Sequence, residues 1–245
     1  MFEKFRKITP TELLQKGWTT HDKWTRAPNV VDMIFFCESI SVWVQLEIIT
    51  EKPAFRYRTY EKFIYIAKEL EKINNQYGLL QMFAGLDSHC INRFKKLEKV
   101  LETSNPELAA FMKNTAKLMN TSKNFFNLRQ GLWRLETPCI PYLGVFLKDA
   151  FMIDELLTKS KIGRADPEQT KPVWNIYHQI NAYRQVLQAR IPLYEFYRFP
   201  QLKRLAKYLK RELHFASEID LNLLSECSKQ LAKTENSTEK TKWWG

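Results

Sequence analysis

Apolar residues recur along most of this chain at steps of three and four positions, which is the period of an amphipathic α-helix. The first long series follows Asn29, a candidate N-cap, and comprises Val30, Ile34, Cys37, Ile40, Val44 and Ile48. A second helix is predicted from about Thr59 to Asn74, with Gly78 as its stop signal. No stretch alternates apolar and polar residues for long enough to predict a strand, so the pattern indicates an all-α fold.

Capping and helix-breaking residues divide the rest of the chain into further helices. Ser88 and Asn105 are typical N-caps, and Asn105 is followed by a proline, which favours the first helical position. Residues 159–170 have the composition of a loop and lead to a helix predicted over 172–188. Two more helices are predicted, one beginning at Pro200 and one capped by Asp220. We expect one domain over residues 1–233 and a disordered tail over residues 234–245.

The composition agrees with a helical protein. Of the 245 residues, 44% are hydrophobic, which is enough for a packed core, and only 7 are glycine. Scarce glycine disfavours turns with positive φ, and with them sandwiches, barrels and glycine-rich phosphate loops. The formal net charge of +11 predicts attraction to something acidic, which could be nucleic acid, an anionic membrane face or an acidic protein.

Side chains capable of chemistry are scattered along the sequence. The four cysteines form no C-x-x-C pair and the four histidines stand far apart, so neither a zinc site nor a disulfide framework is indicated. The sequence has no nucleotide-binding, nucleophile-elbow or zinc-protease motif. It also has no uninterrupted apolar run of membrane-spanning length. We therefore expect a soluble, cytoplasmic protein that needs no cofactor or metal ion.

Three ordered segments carry a more specific signal. The first segment reads P-N-V-V-D-M-I at 28–34 and S-V-W-V at 41–44. The second reads K-F-I-Y-I-A at 62–67, I-N-N at 73–75, G-L-D-S at 85–88 and I-N-R-F at 91–94. The third and most specific reads P-C-I-P-Y-L-G-V-F-L-K-D at 138–149. Together they resemble the catalytic domain of Ras-family guanine-nucleotide exchange factors of the son-of-sevenless and Rap-exchange-factor type.

The resemblance implies a fold and a way of acting. A single large helical bowl would grip one switch segment of a Ras- or Rap-subfamily GTPase. A protruding helical hairpin, here at about 170–199, would displace the other switch and so stimulate GDP release. Exchange of this kind is a conformational displacement and involves no covalent chemistry. The implied partner is the small GTPase, not nucleic acid.

The implied catalytic residues lie on the side of the hairpin that would face the GTPase. They are Thr170, Lys171, Trp174, Asn175, His178 and Asn181. Just before the hairpin, about Gln169 to Lys171, this chain departs from the family's I-N-F sequence. That departure motivates an alternative, a non-catalytic module of the same fold that binds a GTPase or a membrane.

The resemblance also implies a GTPase-binding set in the bowl, namely Arg56, Asn74, Asn75, Lys148 and Asp149. The guanidinium of Arg56 suits a carboxylate of the switch region, and the other interpretation is a solvated surface charge. The two asparagines either bond a switch backbone or cap a helix.

A basic stripe is predicted on the helix that begins at Pro200. It consists of Lys203, Arg204, Lys207, Lys210 and Arg211. We expect this stripe to face an anionic membrane surface, and the other interpretation is an ordinary solvated helix face. Binding to nucleic acid is a third possible role for the basic charge, but no recognised motif or aromatic stacking platform accompanies it.

Overall fold

The computed structural model describes residues 1–13, 15–132, 139–159 and 200–241, together with the single positions 171, 175 and 178. Within this part of the chain the fold is all-α, as predicted, with one isolated β-bridge and no strand. Two short 3-10 turns, Pro10–Leu13 and Gly17–Thr19, lie near the N-terminus. The α-helices are α1 (Phe2–Phe5), α2 (Lys23–Arg26), α3 (Pro28–Thr50), α4 (Pro53–Lys72), α5 (Gln76–Leu86), α6 (His89–Asn92), α7 (Lys95–Ser104), α8 (Pro106–Met119), α9 (Ser122–Leu132), α10 (Leu143–Lys159), α11 (Pro200–Ser217) and α12 (Leu221–Thr241).

Helix α3 runs through the centre of the core. Its N-terminal half packs with Leu80 of α5 and Leu143 of α10, and its C-terminal half packs with α4, α5 and Leu224 of α12. Of the helices in the described ranges, α3 alone is long and apolar enough to cross a membrane by length and composition, with a mean hydropathy of 1.5. The central helix of a core has the same composition because both of its sides meet apolar neighbours.

A distant carboxylate, not Asn29, binds the backbone at the start of α3. The helix begins at Pro28, two residues earlier than an N-cap at Asn29 predicts, so Asn29 lies in its first turn. Glu12, which is only 3% exposed, accepts hydrogen bonds from the backbone N–H of Asn29 at 2.6 Å and of Thr9 at 2.7 Å. A negative charge at this end of a helix is also favoured by the helix dipole.

The corner between α4 and α5 is built by two asparagines. Asn74 takes the left-handed conformation, with φ of 53°, directly after α4. The side chain of Asn75 then caps α5 by accepting a hydrogen bond from the backbone N–H of Gly78 at 3.0 Å. Gly78 therefore lies inside α5 and is not the stop signal that the sequence indicated. The N-caps predicted at Ser88 and Asn105 are confirmed.

Close contacts fix α3 against its two neighbours. A Cβ atom at Gly85 of α5 would lie 2.7 Å from the backbone oxygen of Ser41, so this position of α5 requires glycine. On the α4 side, the Trp43 ring meets the Phe63 ring edge-on, with 5.0 Å between the centroids. Residues of the first two segments thus pack directly against each other.

The two C-terminal helices belong to the same body. The helix starts predicted at Pro200 and after Asp220 are confirmed. Disorder was expected from Thr234 onward, whereas α12 continues to Thr241, and residues 242–245 lie outside the described residues. The reason is anchoring by side chains: Ser228 donates a hydrogen bond to the backbone oxygen of Cys90, and Asn236 donates one to the backbone oxygen of Arg93.

Candidate functional site

The second and third sequence segments meet at the α4–α5 corner. The backbone N–H of Ile140 donates to the backbone oxygen of Asn74 at 3.0 Å, and the N–H of Tyr77 donates to the oxygen of Ile140 at 3.1 Å. Asn75 and Ile140 form the isolated parallel bridge. The third segment is extended at Ile140, and α10 begins three residues later at Leu143.

The residues around this junction are held by packing. Cys139 is buried, and that burial raises the pKa of its thiol to about 11. It is therefore a packed small side chain and not a thiolate nucleophile at neutral pH. The Tyr142 ring meets the Tyr77 ring edge-on, with 5.2 Å between the centroids, and this contact fixes the start of α10.

Helix α10 has one buried and one exposed side. The side chains that reach the core are Leu143, Phe146, Leu147 and Ala150. Lys148, Phe151 and Met152 point outward, at steps of three and four, and we call these three residues the α10 face. Methionine and aromatic side chains are enriched at protein-binding surfaces, and this face exposes one of each.

Helix α9 supports the α10 face from the side. Arg129 donates two hydrogen bonds to the Asp149 carboxylate, at 2.7 and 2.6 Å, so the two helices are joined by a bidentate ion pair. The Lys148 ammonium lies 5.2 Å from the centroid of the Phe125 ring. Phe126, the next residue of α9, is 51% exposed.

Four of the predicted GTPase-binding residues lie in this region. Asn74 and Asn75 form the corner, and Lys148 and Asp149 lie on α10 about two turns beyond Tyr142. For the Asn75 side chain, helix capping is confirmed. Asp149 is held by Arg129, and Lys148 is exposed. Their contact with a GTPase stays a prediction.

Arg56 is the exception, because the structure makes it a core residue. It is 2% exposed and donates hydrogen bonds to the backbone oxygens of Ile48, Ile49 and Glu51. Its guanidinium also pairs with Glu235 of α12 and stacks over the Phe94 ring at 4.5 Å. Moreover, Arg56 lies near the start of α4, roughly 24 Å along the helix from the α4–α5 corner at a rise of about 1.5 Å per residue. The expectation that this arginine is exposed is therefore wrong, and its contact with a GTPase stays a prediction.

The hairpin residues are described in part. Lys171, Asn175 and His178 are helical and exposed. Thr170, Trp174 and Asn181 lie outside the described residues. The catalytic role of this set stays a prediction.

The basic stripe is exposed as expected. Its members on α11 are Lys203, Arg204, Lys207, Lys210 and Arg211. Helix α11 lies against α3 and buries Ala216 near its C-terminal end. Exposure fits both interpretations of the stripe, a membrane-facing surface and a solvated helix face.

Sequence reasoning missed the apolar part of the site. Phe151 and Met152 were not singled out, although they follow Lys148 by three and four positions and the helical period places them on its side. Across the described ranges, no group of three His, Cys, Asp or Glu side chains could hold a metal ion. The geometry thus defines a helical domain whose candidate site is a surface for binding another protein.

Comparison with known proteins identifies the family. The model of the RasGEF domain matches residues 1–191. The chain is 33% identical over 156 residues to Ras guanine nucleotide exchange factor M of Dictyostelium discoideum, covering 63% of this chain and 16% of the relative. It is 32% identical over 191 residues to the Ras-specific guanine nucleotide-releasing factor RalGPS1 of Gallus gallus, covering 77% of this chain and 32% of the relative.

A third relative agrees with these two. Ras guanine nucleotide exchange factor A of Dictyostelium discoideum is 37% identical over 155 residues, covering 63% of this chain and 25% of the relative. The chain belongs to the RasGEF domain family. It spans about a third or less of the length of these relatives. The family match ends before α11, so the domain boundary expected at residue 233 stays a prediction.

Proposed function

We propose that this chain is a guanine-nucleotide exchange factor that binds a Ras-family small GTPase and stimulates GDP release. The observation that carries the proposal is the RasGEF match over residues 1–191, which includes all three sequence segments and most of the hairpin range. The exposed α10 face, beside the α4–α5 corner, supplies a docking surface for the GTPase. Because the match extends into the hairpin, the non-catalytic alternative is not favoured.

Exchange follows from differential binding. A GTPase that holds its nucleotide with picomolar affinity gains about 16 kcal/mol from it. A protein can weaken that grip only by binding the nucleotide-free form more tightly than the loaded form. Linkage makes the effect reciprocal, so added nucleotide must also dissociate the complex. In this proposal the α10 face holds one switch, and the hairpin side with Lys171, Asn175 and His178 displaces the other.

The proposal extends to the choice of partner and to location. We place the substrate in the Ras or Rap subfamily and the protein in the cytoplasm, on the resemblance described above. Neither assignment depends on a particular contact of the α10 face.

Release of a fluorescent GDP analogue from a panel of Ras-family GTPases tests the exchange proposal. We expect micromolar concentrations of this chain to accelerate release from at least one Ras or Rap protein. We also expect a complex with the nucleotide-free GTPase that excess GDP dissociates. Unchanged release across the panel would contradict exchange, and binding to the nucleotide-free form without faster release would support the non-catalytic alternative.

We also propose that the basic stripe on α11 faces an anionic membrane surface. Five exposed cations on one helix support this, since each lysine or arginine near such a surface contributes about 1 kcal/mol of binding. The contribution would matter for a GTPase substrate held at a membrane and not for one in solution.

Charge reversal distinguishes the membrane interpretation from a solvated helix face. The triple variant Lys203→Glu, Lys207→Glu, Lys210→Glu should exchange nucleotide more slowly on a GTPase tethered to anionic vesicles. On the soluble GTPase, its rate of nucleotide exchange should equal that of the unaltered protein. A second triple variant controls for net charge: it combines Lys113→Glu and Lys117→Glu on α8 with Lys123→Glu on α9. If the two triple variants behave alike on vesicles, the stripe has no specific membrane role.

A further inference from the structure

A basic groove lies between two parts of the molecule that are distant in sequence. One wall is formed by α6, the residue after it and the start of α7, and the other by the C-terminal half of α12. The groove is open to solvent and has a volume of about 710 Å³. Its lining residues are His89, Asn92, Arg93, Lys95, Lys229, Ala232, Lys233, Asn236 and Ser237.

The groove concentrates positive charge. Arg93, Lys95, Lys229 and Lys233 contribute four basic side chains. No carboxylate is among the described residues that line it, although the chain as a whole has 27 acidic residues. Two carboxylates contact lining residues from outside the lining: Asp87 accepts a hydrogen bond from the Asn92 side-chain amide at 3.2 Å, and Glu226 lies 3.4 Å from the Lys229 ammonium. Asn92, Asn236 and Ser237 add neutral polar groups.

The walls are tied together, so the groove is built into the fold. Arg93 donates hydrogen bonds to the backbone oxygen and, at 3.2 Å, to the hydroxyl of Ser225 on α12. Asn236 donates in the opposite direction, to the backbone oxygen of Arg93 at 3.2 Å. Along α12, Lys229 and Lys233 are four residues apart, which places them one above the other on the same side of the helix.

We propose that this groove binds a phosphorylated headgroup with two or more phosphates, the chemistry of an inositol polyphosphate. The volume falls within the range of small-ligand sites. Lysine and arginine are the side chains that proteins use for phosphate, and the pairs on opposite walls offer several anionic groups a cation each. Ala232 is the one apolar residue of the described lining, so the groove offers a peptide no aromatic or large aliphatic side chain to pack against.

A ligand bound in this groove would connect two helices that are distant in sequence and would therefore stabilise the fold. A polyanion would join α7 to α12, and α12 in turn holds Arg56 of α4 through Glu235. Because a ligand that binds only the folded state stabilises it, occupancy should raise the melting temperature. This readout does not depend on nucleotide exchange, so the headgroup proposal and the exchange proposal can fail independently.

Binding of soluble inositol 1,4,5-trisphosphate, measured by calorimetry and by melting temperature, tests the site. We expect saturable binding and a rise in melting temperature. Citrate, added to the same total concentration of negative charge, should have weaker effects on both. The double variant Lys95→Glu, Lys233→Glu should lose at least about tenfold in affinity because two of four cations become anions. The control, Lys7→Glu with Lys62→Glu, replaces two exposed lysines outside both the groove and the basic stripe, changes the net charge equally and should bind the headgroup as the unaltered protein does.

The neutral double variant Lys95→Gln, Lys233→Gln repeats the test without introducing repulsion, in case the glutamate variant folds poorly. Vesicles then distinguish the two sources of the headgroup. Preferential retention by phosphatidylinositol 4,5-bisphosphate over phosphatidylserine at matched surface charge assigns the site to a lipid, and binding of the soluble headgroup alone assigns it to a free inositol phosphate. Equal headgroup affinity of the groove variants and the control variant at Lys7 and Lys62, or equal binding of citrate, would overturn the proposal.

Discussion

Replacing Arg56 with alanine is expected to lower the free energy of unfolding by about 3–5 kcal/mol, the cost of removing one member of a buried ion pair. The substitution leaves Glu235 without its partner and removes the donor to three backbone oxygens. Burial lowers the pKa of the Arg56 guanidinium and the Glu51 carboxylate opposes that shift, but an arginine remains charged in a protein. Its charge therefore has to be compensated inside the fold, and these contacts do so.

Arg58 provides the matched control, because it lies on the same helix and is exposed. Arg58→Ala should change the free energy of unfolding by less than about 0.5 kcal/mol. Arg56→Lys should fall between the two alanine variants, since it keeps the charge and loses the planar fork. Denaturant unfolding measures all three. If Arg56→Ala were as stable as Arg58→Ala while exchange declined, Arg56 would be a partner-binding residue after all.

The burial of Arg56 is predictable from the sequence. Tyr60, Phe63, Ile64 and Ala67 are buried on α4, and Arg56 precedes Tyr60 by four residues, so the helical period places it on the buried side. The expectation that Arg56 lies on the surface came instead from its alignment with an arginine of the family that binds the GTPase. The periodicity of this chain was the better guide to where the side chain lies.

The helical class and most helix starts followed from local pattern and capping residues. Errors arose where a distant residue determines the structure. Glu12 binds the start of α3 from 17 residues away, so a rule that searches the neighbouring positions selects Asn29. Ser228 and Cys90 are 138 residues apart, and the polar composition of the C-terminus gives no sign that it will be anchored there.

The site itself was predictable in part. The third segment pointed to Lys148 and Asp149, and the structure places both beside the α4–α5 corner. The bidentate pair between Arg129 and Asp149 could not be inferred, because α9 and α10 are joined by a segment whose path the sequence does not specify. The exposure of Phe151 and Met152 could not be predicted, because it depends on which side of α10 faces the core. The packing of Phe146, Leu147 and Ala150 determines that side.

Replacing Met152 with aspartate should reduce kcat/KM for nucleotide release by about 30-fold or more, the effect of losing a 2 kcal/mol interface contact. Met152 is 51% exposed and is the last residue of the α10 face, one helical turn beyond Lys148. In the proposed complex its side chain becomes buried against the GTPase. A carboxylate at this position would have to be desolvated there without a partner, which opposes docking in every nucleotide state.

Val100→Asp is the control for this substitution. Val100 is 37% exposed on α7, so the same carboxylate enters an exposed apolar position of another helix. Both variants should unfold at denaturant concentrations close to that of the unaltered protein, because neither residue is in the core. Only Met152→Asp should slow exchange, and it should also weaken binding to the nucleotide-free GTPase. Equal rates for the two variants would place the GTPase on a different face of the domain and leave α10 with a purely structural role.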